Sequence, residues 1–249
     1  MFILPPHTLY SEFSFKGITS WIIGNKEATF FEEHPFENNG TLVIENNSGT
    51  IAIKSWSLPK IAIKAVKKAS EKDLPTLEID TIINNNQISI ITTNKSKNGY
   101  VDYELIVPTT TNVIVKAENC SVKTKNVTGT HKISTQSSID IQGAANSIHA
   151  LAAGPITIAF SQLPLTSTFN LKSIKSSVTL TMPNTSNATM RAITTYNTIL
   201  SQHFITLKPI TTILNKQTWE RFKREISGTL GNGGAFFDIS AYSGISLLQ

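Results

Sequence analysis

Four short segments of this chain share one local pattern: Cys120-Ser121-Val122-Lys123-Thr124, Ser137-Ser138-Ile139-Asp140-Ile141, Gly154-Pro155-Ile156-Thr157-Ile158 and Ser176-Ser177-Val178-Thr179-Leu180. Each opens on a small residue and then alternates apolar and polar positions. The starts at 120, 137, 154 and 176 lie 17, 17 and 22 residues apart, and Asn197-Thr198-Ile199 follows 21 further on. An internal repeat of this period marks a solenoid, in which each unit buries its apolar face only by stacking on its neighbours. Aligning the starts puts Val122, Ile139, Ile156 and Val178 in one inward ladder and Thr124, Ile141, Ile158 and Leu180 in a second. Lys123, Asp140, Thr157 and Thr179 then point to solvent, because successive strand residues face opposite sides. Each repeat has room for a second strand, around 132–134, 148–151, 169–171 and 190–193, and the longer spacings are read as loop insertions at 162–165 and 183–187.

The expected fold is therefore all-β: a single-domain parallel β-solenoid with coils of about 17–22 residues. Alternation alone also permits an antiparallel sandwich. Burying one Ile or Val contributes roughly 1.5–3 kcal/mol, whereas ordering the backbone costs roughly 1–2 kcal/mol per residue. One coil cannot stand alone, so the stack has to be cooperative.

Upstream, Leu42 and Ile44, Ile51 and Ile53, Ile61 and Ile63, Leu77 and Ile79, Ile88 and Ile90, and Tyr103 and Leu105 recur at period two, the mark of strands with one buried face. Turn chemistry separates them at 46–49, Leu58-Pro59, 84–86 and 97–99, and Pro108 ends the last of them. Residues 1–40, with Phe13, Phe15, Trp21, Phe30, Phe31 and Phe36, read as irregular strands capping the first coil of a domain spanning 41–249. In Leu214–Ile226, Trp219, Phe222 and Ile226 stand at helical spacing while the surroundings read as strand, so helix and strand both stay open. With 40% apolar and 16% charged residues, the 249-residue chain is too apolar to be disordered.

Little in the sequence points to catalysis. Cys120, the one cysteine, fills a slot its sister repeats give to Ser or Gly, and reads as a small turn or core residue. His7, His34, His131, His149 and His203 lack zinc-binding spacing; stacking of His131 and His149 on adjacent coils would still leave no third ligand, so no metal or cofactor is expected. Gly228, Gly231, Gly233 and Gly234 precede strand residues rather than a helix, and read as a tight turn rather than a phosphate loop. The carboxylates are scattered singly, unlike the clusters with which β-helix enzymes hold Ca²⁺ on acidic polysaccharides. The expected activity is therefore non-catalytic, with a polysaccharide-active β-helix enzyme, or a cytoplasmic scaffold with no surface role, as the alternatives.

The net charge is +5, and its most site-like expression is a row of lysines. Lys60, Lys64 and Lys68 share the strand face opposite Ile61 and Ile63, with Lys54 and Trp56 outward on the preceding strand. Ammonium groups beside an indole suit an anionic glycan, a lipid headgroup or another envelope protein. The same lysines also serve to keep an outer strand from pairing with other chains. Nucleic acid is not expected, for want of aromatics interleaved with the basic residues. No window holds 18 continuous apolar residues, and Met1–His7 makes a poor signal peptide.

Three segments carry a resemblance: Leu42–Trp56 with Ile61-Ala-Ile-Lys-Ala, Tyr103–Pro108 closing in Val-Pro, and Gly228–Ile239 followed by Ser243-Gly244. From about 40 to 249 the chain resembles a bacterial family of β-strand-repeat domains of unknown function, labelled putative adhesins and related to toast-rack domains of envelope-stress operons. The family usually places glycine where this chain has Cys120, Ser137, Ser176 and Asn197. The resemblance implies a strand-repeat fold, a binding or scaffold role, and a place in the cell envelope or at the surface.

Overall fold

Alternating β-branched residues produce nineteen strands among the described residues, all joined in one mostly parallel sheet. The computed structural model describes residues 26–95, 98–208, 216 and 224–249. The first half of the chain supplies β1 (Lys26–Pro35), β2 (Thr41–Trp56), β3 (Lys60–Ala69), β4 (Leu77–Asn84), β5 (Gln87–Asn94), β6 (Tyr100–Pro108) and β7 (Asn112–Lys125). The repeats supply β8 (His131–Thr135), β9 (Ile139–Ala144), β10 (Ile148–Ala152), β11 (Ile156–Phe160), β12 (Thr168–Ser173), β13 (Val178–Thr181), β14 (Ala188–Thr194) and β15 (Ile199–Ser201). The last four are β16 (Ile205–Leu207), β17 (Glu225–Leu230), β18 (Ala235–Ala241) and β19 (Ile245–Leu248).

The strands form two parallel ladders. One runs β5, the first half of β2, the first half of β7, β8, β10, β12, β18 and β14. The other runs β6, the second halves of β2 and β7, β9, β11, β13, β19 and β15. Antiparallel strands stand at the ends: β4 on β5, β3 on β6 with β1 beyond it, and β17 on β14 with β16 beyond it. The antiparallel sandwich permitted by alternation is not the arrangement that forms.

Inward residues follow the repeat alignment. Val122, Ile139, Ile156 and Val178 register in one row, Thr124, Ile141, Ile158 and Leu180 in the next, and all eight are buried. The ladders meet across a common core, where the Phe160 ring of β11 lies edge-on to Phe169 and Phe237 of the other ladder. Leu42, Ile44, Ile51, Ile53, Ile61, Ile63, Leu77, Ile88, Ile90, Tyr103 and Leu105 are buried as their alternation predicts, while Ile79 packs at the margin. Phe36 is buried and Phe31 is largely exposed; Phe13, Phe15 and Trp21 lie outside the described residues. Most of Leu214–Ile226 also lies outside them, although Glu225 and Ile226 begin β17.

One expectation is corrected. The segment 46–49 does not break the strand. β2 and β7 are continuous, pairing from Thr41↔Asn112 to Lys54↔Lys125, so each passes from one ladder to the other. The bend is held by buried Asn46, whose Nδ2 donates to the Val101 carbonyl at 2.9 Å. Gly49 sits at φ +122, where a Cβ would lie 2.2 Å from that same carbonyl oxygen, so only glycine fits.

Spatial order departs from sequence order. The repeat at Asn197-Thr198-Ile199 does not stack on the one at 176. Val178 and Ile199 both register with Ile245, because β18 and β19 insert between the 176 and 197 coils. Phe237 of β18 is fully buried and stacks on Phe169, ring centroids 4.4 Å apart and 19° from coplanar. The loop at 182–187 carries the chain from β13 to β14 across this gap of two strand spacings, roughly 10 Å.

His131 is an exception among the inward residues. It lies between Val113 and Ile148, and its Nε2 is 3.3 Å from the Thr124 hydroxyl of the facing ladder. Burial pushes its pKa down from 6.5 to about 4.

Two predictions follow from this packing. Phe237→Ala, though only twelve residues before Gln249, should lower unfolding free energy by about 3–5 kcal/mol, as for a large core aromatic. A urea titration showing a loss typical of a frayed terminus would contradict the insertion. For His131, the unfolded chain takes up a proton near pH 6.5 that the folded chain refuses until about pH 4. Stability should therefore be complete above pH 6.5 and fall by about 3 kcal/mol on descending to pH 4. His131→Leu should flatten that part of the profile, and an unchanged slope would assign it to other groups.

Candidate binding surface

The sequence-predicted row lies on the outer face of β2, β6, β3 and β1. Lys60, Lys64 and Lys68 project outward from β3, as period two requires, and Lys54 and Trp56 project from the second half of β2. The two sets are not on neighbouring strands. β3 pairs with β6 and β1, so β6 stands between β3 and β2 and brings Asp102 and Glu104 with it.

That interposed strand changes the electrostatics. Glu104 holds Lys54 at 3.4 Å through Oε1 and Lys64 at 3.7 Å through Oε2. Lys60 reaches Glu33 of β1 at 2.8 Å, and Lys68 lies 3.5 Å from Glu27 and 3.6 Å from Asp102. Burial alone would lower the Lys68 pKa, but Tyr100, Glu27 and Asp102 outweigh it and leave the ammonium favoured. Trp56 donates its indole N–H to the Lys60 carbonyl at 2.7 Å, and the Lys60 ammonium sits 5.2 Å from its ring centroid. Four ammonium groups thus face four carboxylates. The potential that a row of isolated lysines would project is largely cancelled, and what remains is a lattice of partly exposed pairs, each worth roughly 0–1 kcal/mol.

The carboxylates were the missing part of the sequence reading. Asp102 and Glu104 flank buried Tyr103, and Glu27 and Glu33 fall at even spacing on β1, so period two already sets them outward. What alternation could not supply is the order β2, β6, β3, β1, which puts them beside the lysines.

The remaining candidates separate. His131 and His149 are not brought together: Ile148 registers with His131, so His149 stands on the outer face opposite Lys132. Among the described residues no cluster of three or more His, Cys, Asp or Glu is placed to hold a metal ion. Cys120 is fully buried, its Sγ donates to the Asn46 carbonyl at 3.4 Å, and burial pushes the thiol up to about 12. It is a core thiol with little thiolate character. Gly231, Gly233 and Gly234, all at positive φ, form the turn from β17 into β18.

Sequence reasoning also missed a shallow groove of about 440 Å³ on the outer face of β7, β8, β10 and β12. Ile114, Lys132, His149 and Asn170 stand side by side along it, one per strand. At its rim Thr130 donates through both N and Oγ1 to Asn112 Oδ1, at 3.0 and 2.8 Å, and the Thr168 amide donates to Ser147 Oγ at 3.0 Å. The row continues across Asp238 to Arg191. Among the described residues no helix is long and apolar enough to cross a membrane.

No family model matches the chain, nor does any curated protein. Among solved structures it is similar to a putative cell adhesion protein from Clostridium sporogenes, with 11% identity and a TM-score of 0.46 over 89% of this chain and 100% of that one. It is also similar to a putative adhesin from Bacteroides fragilis, at 9% identity and a TM-score of 0.27 over 89% and 97% of the two chains. A third, a putative adhesin from Parabacteroides merdae, shows 7% identity and a TM-score of 0.24 over 89% and 96%.

The shared carboxylate gives a direct test of the cancellation. Glu104→Gln removes the carboxylate that Lys54 and Lys64 share, so the variant should be retained more strongly than wild type on a sulfated matrix at low ionic strength. The gain should vanish in high salt, where charges beyond about 3 Å are screened at 1 M. Equal elution of the two proteins at low salt would mean that the pairing does not govern the field of this face.

Proposed function

We propose that the chain is a non-catalytic, adhesin-like binding or scaffold module of the bacterial envelope, built as a parallel β-solenoid whose N-terminal segment, residues 1–40, caps a domain spanning 41–249. One observation carries this reading: outward side chains stand in straight rows, one per strand, across a core filled from end to end. The row Ile114, Lys132, His149, Asn170, Asp238 and Arg191 crosses six strands of one ladder. Ala52, Lys123, Asp140, Thr157, Thr179 and Ser246 do the same on the other. A polymeric partner meets the same spacing, about 4.8 Å, at every step, and stacked repeats characteristically use such extended surfaces for binding.

The packing of β1 along β3 and the burial of Phe36 support the capping role. The envelope location rests on the sequence resemblance. Anionic glycans, lipid headgroups and envelope proteins remain the partner classes for the face bearing Lys54, Trp56, Lys60, Lys64 and Lys68. Its ion pairs make binding there conditional on a ligand that displaces Glu104, Glu33, Glu27 or Asp102.

The test is an array of glycans and lipids probed at two salt concentrations with wild type and with the variant carrying alanine at all four lysines. Parallel incubations are assayed for new reducing ends or unsaturated products. Binding without turnover is expected. Clear turnover of any polysaccharide would replace this reading with a polysaccharide-active enzyme.

A further inference from the structure

The turns joining the first ladder to the second stack on one another along one side of the molecule. Four of them, in spatial order, are 153–155, 174–177, 242–244 and 195–198, the third coming from the inserted C-terminal coil. Their backbones are tied coil to coil: Lys175 N donates to Ala153 O, Ser243 N to Ser176 O, and Tyr196 N to Tyr242 O, at 3.0–3.1 Å.

On this spine stand three large side chains that packing leaves outside: Ile174 at 48% exposure, Tyr242 at 42% and Tyr196 at 61%. The two tyrosine rings are neighbours, with centroids 4.6 Å apart and planes inclined at 56°. Tyr196 and Tyr242 lie 46 residues apart in sequence and become adjacent only because β18 and β19 insert between the 176 and 197 coils. Around them the four turns offer Ser, Thr and Asn side chains, with Lys175 as their one charged residue, and beside Tyr196 the Arg224 guanidinium donates to the Thr195 carbonyl at 3.2 Å.

We propose that Tyr196, Tyr242 and Ile174 form a stacking platform for a neutral saccharide chain. The proposal rests on the binding-module reading and names the ligand class and the site. Exposed rings supply apolar faces for the C–H side of a pyranose, and the hydroxyls of Tyr196 and Tyr242, which interact with each other, supply hydrogen-bonding groups beside them. The step from coil to coil, about 4.8 Å, is close to the rise of one pyranose along an extended glycan. The turns hold no carboxylate and no ion-pair lattice, and their two neighbouring cations are Lys175 and Arg224, the latter engaged with a backbone carbonyl. Ring faces and uncharged polar groups dominate the spine, in contrast to the ion-paired face of β3, and suit an uncharged polymer. A peptide adding as a strand finds the amides of Lys175, Ser243 and Tyr196 already engaged between coils. Side-chain stacking is what the spine has left to offer.

The experiment is affinity electrophoresis of the full chain through gels containing a soluble β-glucan, xylan, mannan or α-glucan, with dextran sulfate as the anionic comparison. Wild type should be retarded by at least one neutral polysaccharide, and Tyr196→Ala/Tyr242→Ala should weaken that binding at least tenfold. Tyr196→Phe/Tyr242→Phe should retain most of it, because the ring faces survive. Both tyrosines are solvent-facing, so melting temperatures should match wild type and report that the fold is intact. No retardation by any neutral polysaccharide overturns the proposal, as does equal retardation of wild type and the double alanine variant. If binding instead follows the four lysines or dextran sulfate alone, the platform is wrong while the binding-module reading stands. Cleavage of the polysaccharide overturns that reading, and the tyrosine variants still decide where the chain binds.

Discussion

The fold depends on the in-register stacking of inward side chains between parallel strands drawn from different coils. A strand such as β11 has five residues and cannot bury Ile156 or Ile158 by itself. It does so only because Ile139 and Ile141 lie against it on one side and Val178 and Leu180 on the other. Parallel pairing has no hairpin to hold register, so the apolar row is what penalises a slip: one residue of shift would bring Thr157 inward and send Ile156 to solvent. The same requirement explains the ends. A terminal coil has no neighbour on its far side, and there the structure turns antiparallel, with β4, β3 and β1 at one end and β17 and β16 at the other. β4 reaches β5 through a tight turn, whereas β3, β1 and β17 pair with strands distant in the chain; each covers an edge without needing another full coil.

The inserted C-terminal coil is the strongest expression of that constraint. β18 and β19 pair on both sides, with β12 and β14 in one ladder and with β13 and β15 in the other. Until they arrive, the 197 coil has nothing to stack upon and the Phe169 face is bare. The bulk of Phe237 suits this slot: with Phe160 and Phe169 it makes a three-ring cluster, where the next strand outward brings only Ala188, Met190 and Ala192. A chain that closes with its last residues commits its final contacts late, after sequence-distant strands have been brought into place.

Register within the repeats was legible from sequence because period two is a local property. Val122, Ile139, Ile156 and Val178 each declare their own inward orientation. Spatial order is not local. The repeat at 197 follows the one at 176 in sequence, yet Ile245-Ser246-Leu247 matches the inward pattern of Val178-Thr179-Leu180 and takes the place beside it. The lysine row was read without β6, since nothing in Lys60–Lys68 says which strand will pair beside it. Once Glu104 lies directly opposite Lys64, the same alternation that made the row visible makes its neutralisation unavoidable. The turn at 46–49 was misread for a related reason: Asn-Asn-Ser-Gly is turn chemistry in isolation, but here it bends a continuous strand around Asn46.

The inward and outward positions of these strands answer to different demands, and that bears on where recognition can sit. Inward positions are fixed by volume and register, and outward positions on the sheet faces are fixed in part by cross-strand charge, as the pairs of Glu104, Glu33 and Glu45 with their lysines illustrate. The turns between ladders carry neither burden beyond their coil-to-coil backbone bonds. A large aromatic there gains little for the fold, since most of its surface stays in water and burial contributes in proportion to area removed. Tyr196 and Tyr242 occupy such positions while the interior uses Phe and Ile. Because the insertion of β18 and β19 sets them side by side, the geometry of the pair is inherited from the rigid core rather than from a mobile loop. A platform held in this way loses little conformational entropy when a ligand settles on it.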